Sequence, residues 1–563
     1  MKILIAGQII LLLFCKIHGE PLEWWKTMSL YQIYPRSFKD SDGDGVGDLK
    51  GILSKFQHVI DSKFDAIWLS SIYSSPMKDF GYDVTNYRGI DPIYGTMKDF
   101  ENLLNKAHSS SIKVIMDFVP NHSSNKHEWF QKSVKKVEPY TDYYVWHPGK
   151  MVNRTRQPPN NWVNAYYGSA WTWNEERQAY YLHQFLPEQP DLNYRNEKVV
   201  EEMKNVLRFW LDKGVDGFRV DAVPHLVEAK ELLDEPLTGT TNDSNSYEYT
   251  VHIYTTNQLE TYEMVRQWRN VIDEYKNKSP RVLMLEIYGD PKETMDYYCY
   301  GASFPFNFRF IFTNQNTTAE QYRYLIDEWM DHMPIGSTAN WVAGNHDNTR
   351  IVSSHGCDFA PVVTTMVQLL PGVAVTYNGE EIGMEDTILS WQETKDSQAC
   401  RVGEKLFSSV TRDPARTPFQ WDSSVSAGFS TNPKPWLRVH ENYKKINLAA
   451  QKAVDKSYYK SFVKVTNLRK LPVIKIGSFG SMMLSDNVFA FSRDLNGEKS
   501  IYVVINAGYE AETVDLKKYD DTLDKVKLYT ALPVFKDVKD GEIMESQKLH
   551  VNARSAYIFT AVD

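Results

Sequence analysis

Gly217-Phe218-Arg219-Val220-Asp221, Val282-Leu283-Met284-Leu285-Glu286 and Trp341-Val342-Ala343-Gly344-Asn345-His346-Asp347 are three apolar, strand-like runs, and each ends in a carboxylate. Acidic residues are poor strand formers, and one at the end of a buried parallel strand costs desolvation unless it has a partner or a task. The three acids recur at about 60-residue intervals with helical stretches between them. Strands alternating with helices are the pattern of a βα barrel, whose active site gathers at the carboxyl ends of its strands. The runs therefore read as a shared carboxylate cluster with Arg219 and His346 beside it. A salt-bridged structural acid explains any one of them equally well, but not all three.

Outward from these runs, further candidate strands fall at residues 31–34, 66–69, 114–119 and 372–376, with a weak one at 304–308. Residues 99–108 and 197–212 carry helical patterns, with apolar side chains at i, i+3 and i+4. After the third strand the spacing breaks. Residues 123–193 are rich in Trp, Tyr, Asn and Pro, and a structureless loop of that length would be unusual in a compact domain, so they read as a subdomain inserted over the strand ends. From residue 484 onward short alternating stretches such as Val488-Phe489-Ala490-Phe491-Ser492 take over and read as a C-terminal antiparallel β domain.

Paired carboxylates supply what cleavage of a glycosidic bond needs: a proton for the leaving oxygen and stabilisation of an oxocarbenium-like transition state. The strings Asp117-Phe118-Val119-Pro120-Asn121-His122, Gly217 to Asp221, Glu286-Ile287-Tyr288 and Asn345-His346-Asp347 occur in that order. They resemble the four signature regions of the α-amylase superfamily, glycoside hydrolase family 13. Gln189-Pro190-Asp191-Leu192-Asn193 resembles a fifth, which marks the oligo-1,6-glucosidase and α-glucosidase branch. With Tyr31-Gln32-Ile33-Tyr34-Pro35-Arg36-Ser37-Phe38, Phe80-Gly81-Tyr82-Asp83 and Arg412-Asp413-Pro414-Ala415-Arg416-Thr417-Pro418-Phe419-Gln420-Trp421-Asp422, the chain resembles the secreted insect α-glucosidases from about residue 24 to its C-terminus. Each motif is weak alone; together they are specific.

The resemblance implies an α/β fold: a TIM (β/α)8 barrel over residues 24–122 and 194–483, an inserted B subdomain after strand 3 at 123–193, and the β domain at 484–563. It implies Asp221 as nucleophile, Glu286 as general acid/base and Asp347 as the acid that holds the sugar in the distorted transition state, with retention of configuration and the first two carboxyl groups about 5–5.5 Å apart. Tyr82 would stack on the sugar, Asp83 with Arg412 would grip the non-reducing end, and His122 and His346 would bind hydroxyls. Arg416 stands close to Arg412 and carries the same charge. No metal-ligand spacing accompanies the two histidines. Arg219, two residues before Asp221, shares its side of the strand; it should keep Asp221 ionised, while burial raises the pKa of Glu286.

Asp40-Ser41-Asp42-Gly43-Asp44-Gly45-Val46-Gly47-Asp48 spaces acids and glycines so that oxygens can wrap a hard cation, although the twelfth position, Gly51, rules out an EF-hand. The resemblance implies a structural Ca²⁺ on Asp40, Asp42, Asp44, the Val46 carbonyl and Asp48, with no part in catalysis.

With 563 residues and 42% apolar content the chain suits a barrel with insertions plus another domain. Its 15 Trp and 34 Tyr exceed ordinary core needs and suit stacking on sugar faces. A net charge of −9 without a basic tract makes nucleic acid an unsuitable partner. Lys2 and the apolar residues 3–14 fit a signal peptide cleaved near Gly19, too short to span a bilayer. Secretion, no membrane span in the mature chain and a small-molecule sugar substrate are the expectations. Sequons at Asn153, Asn242, Asn277 and Asn316 agree, while Asn121, also in a sequon, should stay bare in the site. Cys15 would leave with the signal; Cys357 and Cys400 are then placed to pair, leaving Cys299.

Ala222, next to the nucleophile, goes in the related enzymes with α-1,4 bonds and sucrose, where Val goes with α-1,6 bonds. The expected activity is exo-hydrolysis of maltose, short maltooligosaccharides and sucrose, with glucosyl transfer to sugar acceptors available to the same intermediate. Ser71 departs from the Pro usual in relatives and would loosen the loop leading to Tyr82. The alternative of another class is a non-catalytic relative, such as a transporter heavy-chain ectodomain or a surface receptor. An endo-acting α-amylase is disfavoured by residues 189–193.

Overall fold

The computed structural model describes residues 22–277, 279–535 and 538–562, so the expected signal peptide and Cys15 lie outside the described residues. Eight parallel strands form the central sheet: β1 Ser29–Ile33, β2 Ala66–Leu69, β3 Lys113–Phe118, β4 Gly217–Val220, β5 Val282–Leu285, β6 Phe304–Pro305, β7 Asn340–Val342 and β8 Val373–Tyr377. Their order is β6-β5-β4-β3-β2-β1-β8-β7, which brings β6 and β7 to the two edges of one nearly closed barrel. Asn340 closes the seam with its side chain: its amide oxygen accepts from the Asn307 N–H at 2.8 Å and its amide nitrogen donates to the Pro305 carbonyl at 2.7 Å. A side-chain amide thus stands in for ladder bonds that a two-residue β6 cannot supply.

The strands read as near-continuous apolar runs because both faces are buried. Alternate residues such as Leu30, Trp68, Ile115, Met284 and Val375 form one apolar cluster, while Tyr31, Ile67, Met116, Phe218 and Leu283 belong to another with the surrounding helices. Helix α1, Met97–Ser109, begins with a capping box in which Thr96 and Asp99 satisfy each other's backbone N–H, worth about 1 kcal/mol. Helix α2, Glu197–Asp212, buries Val199, Met203, Val206, Leu207 and Trp210 along one stripe.

Residues 123–193 fold as a small unit with a helix at Glu128–Val134 and an antiparallel sheet of Trp146–His147, Ala179–Leu182 and Trp171–Asn174. A bridge between His122 and Asp191 ties its two ends together. The C-terminal sheet runs β9 Ser478–Met483, β10 Val488–Asp494, β11 Ile501–Asn506, β14 Ser555–Ala561, β12 Lys525–Leu532 and β13 Ile543–Glu545 in spatial order. It starts ahead of the boundary expected at 484, because β9 is a half-exposed edge strand with small polar residues and no clean alternation. Phe489, Phe491 and Ile558 pack it against Phe359, Val363 and Met366 of the helix Ile351–Leu369.

Cys299, Cys357 and Cys400 are free and exposed, which corrects the expected Cys357–Cys400 disulfide. Cys357 lies on the helix Ile351–Leu369 and Cys400 on Ser397–Val402, not in the loops where the sequence reading placed them. Among the described residues no helix is long and apolar enough to cross a membrane. Asn153, Asn242, Asn277 and Asn316 are exposed, whereas Asn121 is 1% exposed and donates to Asp191 at 2.9 Å.

Candidate active site

Asp221 directly follows β4, Glu286 directly follows β5 and Asp347 lies in the loop after β7. These acids line one cavity of about 640 Å³ with Tyr82, His122, His346 and Arg412. Arg219 is the hub. Its Nη1 donates to Asp221 Oδ1 at 2.7 Å and to Asp117 Oδ2 at 3.3 Å, and its Nη2 stands 2.5 Å from Glu286 Oε1. Sharing one guanidinium brings the carboxyl groups of Asp221 and Glu286 to the same wall of the cavity. Ala222 holds a left-handed φ of 49°, a strain of about 1–3 kcal/mol for a residue with a Cβ. That turn aims its N–H at Glu286 Oε2, 3.0 Å away.

Burial pushes the Asp221 carboxyl well above the usual carboxylate range; Arg219 opposes the shift, and Glu286 and Asp117 add to it. Arg219 thus offsets burial at Asp221 only in part, short of the expectation that it keeps this carboxyl ionised. One guanidinium shared by three carboxylates cannot neutralise them all. Asp347 behaves oppositely: burial disfavours its charge, yet His346, Arg416 and Arg412 together hold it well below the usual range. Arg416 Nη2 reaches Asp347 Oδ1 at 2.5 Å, and Arg416 Nε donates to the His346 carbonyl. Arg412 and not Arg416 lines the cavity.

Tyr82 stacks parallel on His346, and its hydroxyl donates to Asp117 Oδ2 at 2.7 Å and lies 3.0 Å from His346 Nε2. Burial pulls His122 down to about 4 and His346 to about 3. Both are therefore neutral at physiological pH and offer hydrogen bonds without charge. We expect neither limb of the pH dependence of kcat/KM to belong to these histidines: His122→Gln raises KM for maltose about tenfold while both limbs stay in place. A limb displaced by half a pH unit or more in steady-state rates would contradict this.

The expected Asp83–Arg412 pair is not formed. Asp83 is fully buried and turned away, accepting from Ser75 Oγ and from the N–H groups of Lys78 and Asp79. Asp79 takes its place, 2.9 Å from Arg412 Nη2. The reason is the turn between them: Phe80 and Gly81 have φ of 48° and 110°, and a Cβ on Gly81 would stand 2.9 Å from the Ser71 carbonyl oxygen. The reversal sends Asp79 and Tyr82 into the cavity and Asp83 behind it. Ser71 does not loosen this loop. Its N–H donates to Asp117 Oδ2 at 3.1 Å and its hydroxyl to the Gly81 carbonyl, bonds a Pro could not make.

Several residues at the site were not singled out in the sequence. Asp117 is buried under Tyr82, Trp68 and Arg219; its place in the string that ends at His122 was the available signal. Gln189 Nε2 bridges Asp79 Oδ2 and His122 Nε2 at 3.2 and 3.0 Å. Asp396, fully buried, accepts from Arg412 Nη2 at 2.6 Å and from its backbone N–H at 2.8 Å. The long segment after β4 contributes His225, Tyr247, His252, Thr256 and Asn257 to the cavity wall, and nothing in its composition announces that.

In the acidic loop, carboxylate oxygens of Asp40, Asp42 and Asp48 lie within 4.8 Å of one another. Asp44 is outside this group, with its Oδ1 on the Val46 N–H. The oxygens of Asp40 and Asp48 are met by backbone N–H groups and by the Ser430 and Ser41 hydroxyls, with no cationic side chain bonded to them among the described residues. Clustered hard oxygens of that kind fit a hard divalent cation.

The model of the α-amylase catalytic domain matches residues 32–477. An α-glucosidase of Apis mellifera is 51% identical over 96% of this chain and 94% of its own length. A salivary α-glucosidase of Aedes aegypti is 46% identical over 90% of this chain and 89% of its own. Among solved structures, the α-glucosyl transfer enzyme XgtA superposes with a TM-score of 0.84 at 30% identity, over 96% of this chain and all of that one. The carboxylate cluster thus stands on a barrel of matching sequence and shape, and the chain belongs to the α-amylase family of glycoside hydrolases.

Proposed function

We propose that this glycoside hydrolase is an exo-acting, retaining α-glucosidase that releases terminal α-1,4-linked glucose from maltose, short maltooligosaccharides and sucrose, and passes part of it to sugar acceptors. The observation that carries this reading is the Asp79–Arg412 ion pair in the same cavity as the Asp221–Glu286 pair. An ion pair between the loops after β2 and β8, in the wall of the cavity, supports a site that receives a chain end and not a chain middle. Asp221 attacks the anomeric carbon as Glu286 gives its proton to the departing oxygen. Glu286 then takes a proton from water, whose oxygen displaces Asp221 from the opposite face, and two inversions leave the configuration retained. A sugar hydroxyl in place of that water gives transfer.

Glucose release from maltose, sucrose and isomaltose tests the proposal. Fast turnover of the first two with slow turnover of isomaltose is expected from Ala222, which lines the cavity beside the nucleophile. A preference for isomaltose would overturn the linkage assignment alone. All three acids line one cavity and Arg219 joins two of them, which speaks against a non-catalytic ectodomain; release of nothing from any of the three sugars would bring that reading back.

Four exposed sequons, the leader-like N-terminus and the salivary relative support secretion of a glycosylated chain. We assign a structural Ca²⁺ to Asp40, Asp42 and Asp48, with Asp44 and the Val46 carbonyl within the same loop. The ion would hold three carboxylates together and supply nothing to bond cleavage. Chelation is expected to lower the thermal midpoint by several degrees, about 1–3 kcal/mol, while the initial rate on maltose at low temperature stays within about twofold. An unchanged midpoint in a melting curve with and without chelator would remove the ion.

A further inference from the structure

Tyr166 comes from the inserted subdomain and lines the cavity next to Arg412. Arg412 Nη1 donates to its hydroxyl oxygen at 2.7 Å, and the guanidinium lies over its ring with 4.9 Å to the centroid. Phe185 meets the ring edge-on at 5.4 Å. The backbone is held as well: Arg401, from the segment after β8, donates to the carbonyls of Tyr166 and Tyr167 at 3.3 and 2.8 Å. The hydroxyl therefore accepts a charged hydrogen bond on a side chain fixed from three sides. Among the described residues its own proton has no acceptor; the Arg412 contact uses only a lone pair. A phenol accepting from a guanidinium is a polarised, stronger donor than a free one.

We propose that Tyr166 is a substrate-binding, specificity-determining residue whose hydroxyl donates to a hydroxyl of the terminal glucose, at C4 or C6, beside the Asp79–Arg412 pair. This deepens the α-glucosidase reading and rests on it. The contact forms with the intact sugar far from the bond that breaks, so it is made equally in the ground and transition states. Its loss then appears in KM and spares kcat.

The test compares the secreted enzyme and Tyr166→Phe on 4-nitrophenyl α-D-glucoside and on its 4-deoxy and 6-deoxy analogues. Expected is a rise of about tenfold in KM on the parent glucoside, kcat within twofold, an unchanged melting curve, and disappearance of the KM difference on one of the two analogues, which names the hydroxyl. The proposal is overturned if KM on the parent is unchanged. It is overturned too if the penalty persists on both analogues, since Tyr166 would then act only by keeping Arg412 from Asp347, 3.5 Å from the same Nη1. A wild-type enzyme inactive on the parent glucoside would sink the α-glucosidase reading itself, a separate outcome.

Discussion

Asp221→Asn is expected to abolish turnover of maltose, with kcat/KM falling on the order of 10⁵-fold, because removing a nucleophile removes the covalent route altogether. The substitution keeps size and shape, and Arg219 retains Asp117 and Glu286 as partners at 3.3 and 2.5 Å. The fold should persist. An amide of the same shape brings no charge to desolvate at this buried position, and the melting temperature should stay within a few degrees. Substrate binding should survive, measured as maltose protection against thermal unfolding. Retention of more than about one per cent of wild-type turnover by a homogeneous Asp221→Asn preparation would displace Asp221 from the nucleophile's role.

Glu286→Gln tests the other half of the pair through its dependence on the leaving group. Maltose loses a sugar alkoxide, which needs a proton, so kcat/KM should fall by about 10³–10⁴. An activated aryl glucoside leaves without help, so its first step proceeds while the second stalls for want of a base. A burst of phenol followed by slow turnover is expected. Azide, which attacks without deprotonation, should restore turnover and yield the α-glucosyl azide, because displacement at Asp221 inverts a second time. Equal losses on maltose and the aryl glucoside, with no response to azide, would exclude Glu286 as the acid/base. The β-azide would exclude the retaining mechanism. The Glu286 carboxylate sits on Arg219 and the Ala222 N–H, so Gln keeps one of those contacts and the variant should fold.

Much of the barrel was legible because burial on both faces makes its strands short apolar runs, and a carboxylate at the end of such a run has no cheap structural use. Strands β2, β4 and β5 and helix α2 fall where the sequence places them, to within a residue. The weak strand near residue 304 is weak in fact, two residues long, and its missing ladder bonds come from Asn340, whose side-chain role no periodicity reveals. The C-terminal sheet was legible from β10 onward, where alternation is strong, and not at its polar edge strand β9.

What the sequence by itself determined is local: the strand and helix periods, the acids at strand ends, the acidic loop and the sequons. Each follows from the chemistry of a residue and its near neighbours. What only the tertiary structure decided is direction. Asp79 and Asp83 flank the same three residues, and composition cannot say which enters the cavity; two left-handed residues between them do. Which arginine faces the sugar and how three carboxylates divide one guanidinium depend on groups far apart in sequence meeting in a buried site. Electrostatics at such a site is set by distance and burial, and neither quantity exists until the chain has folded.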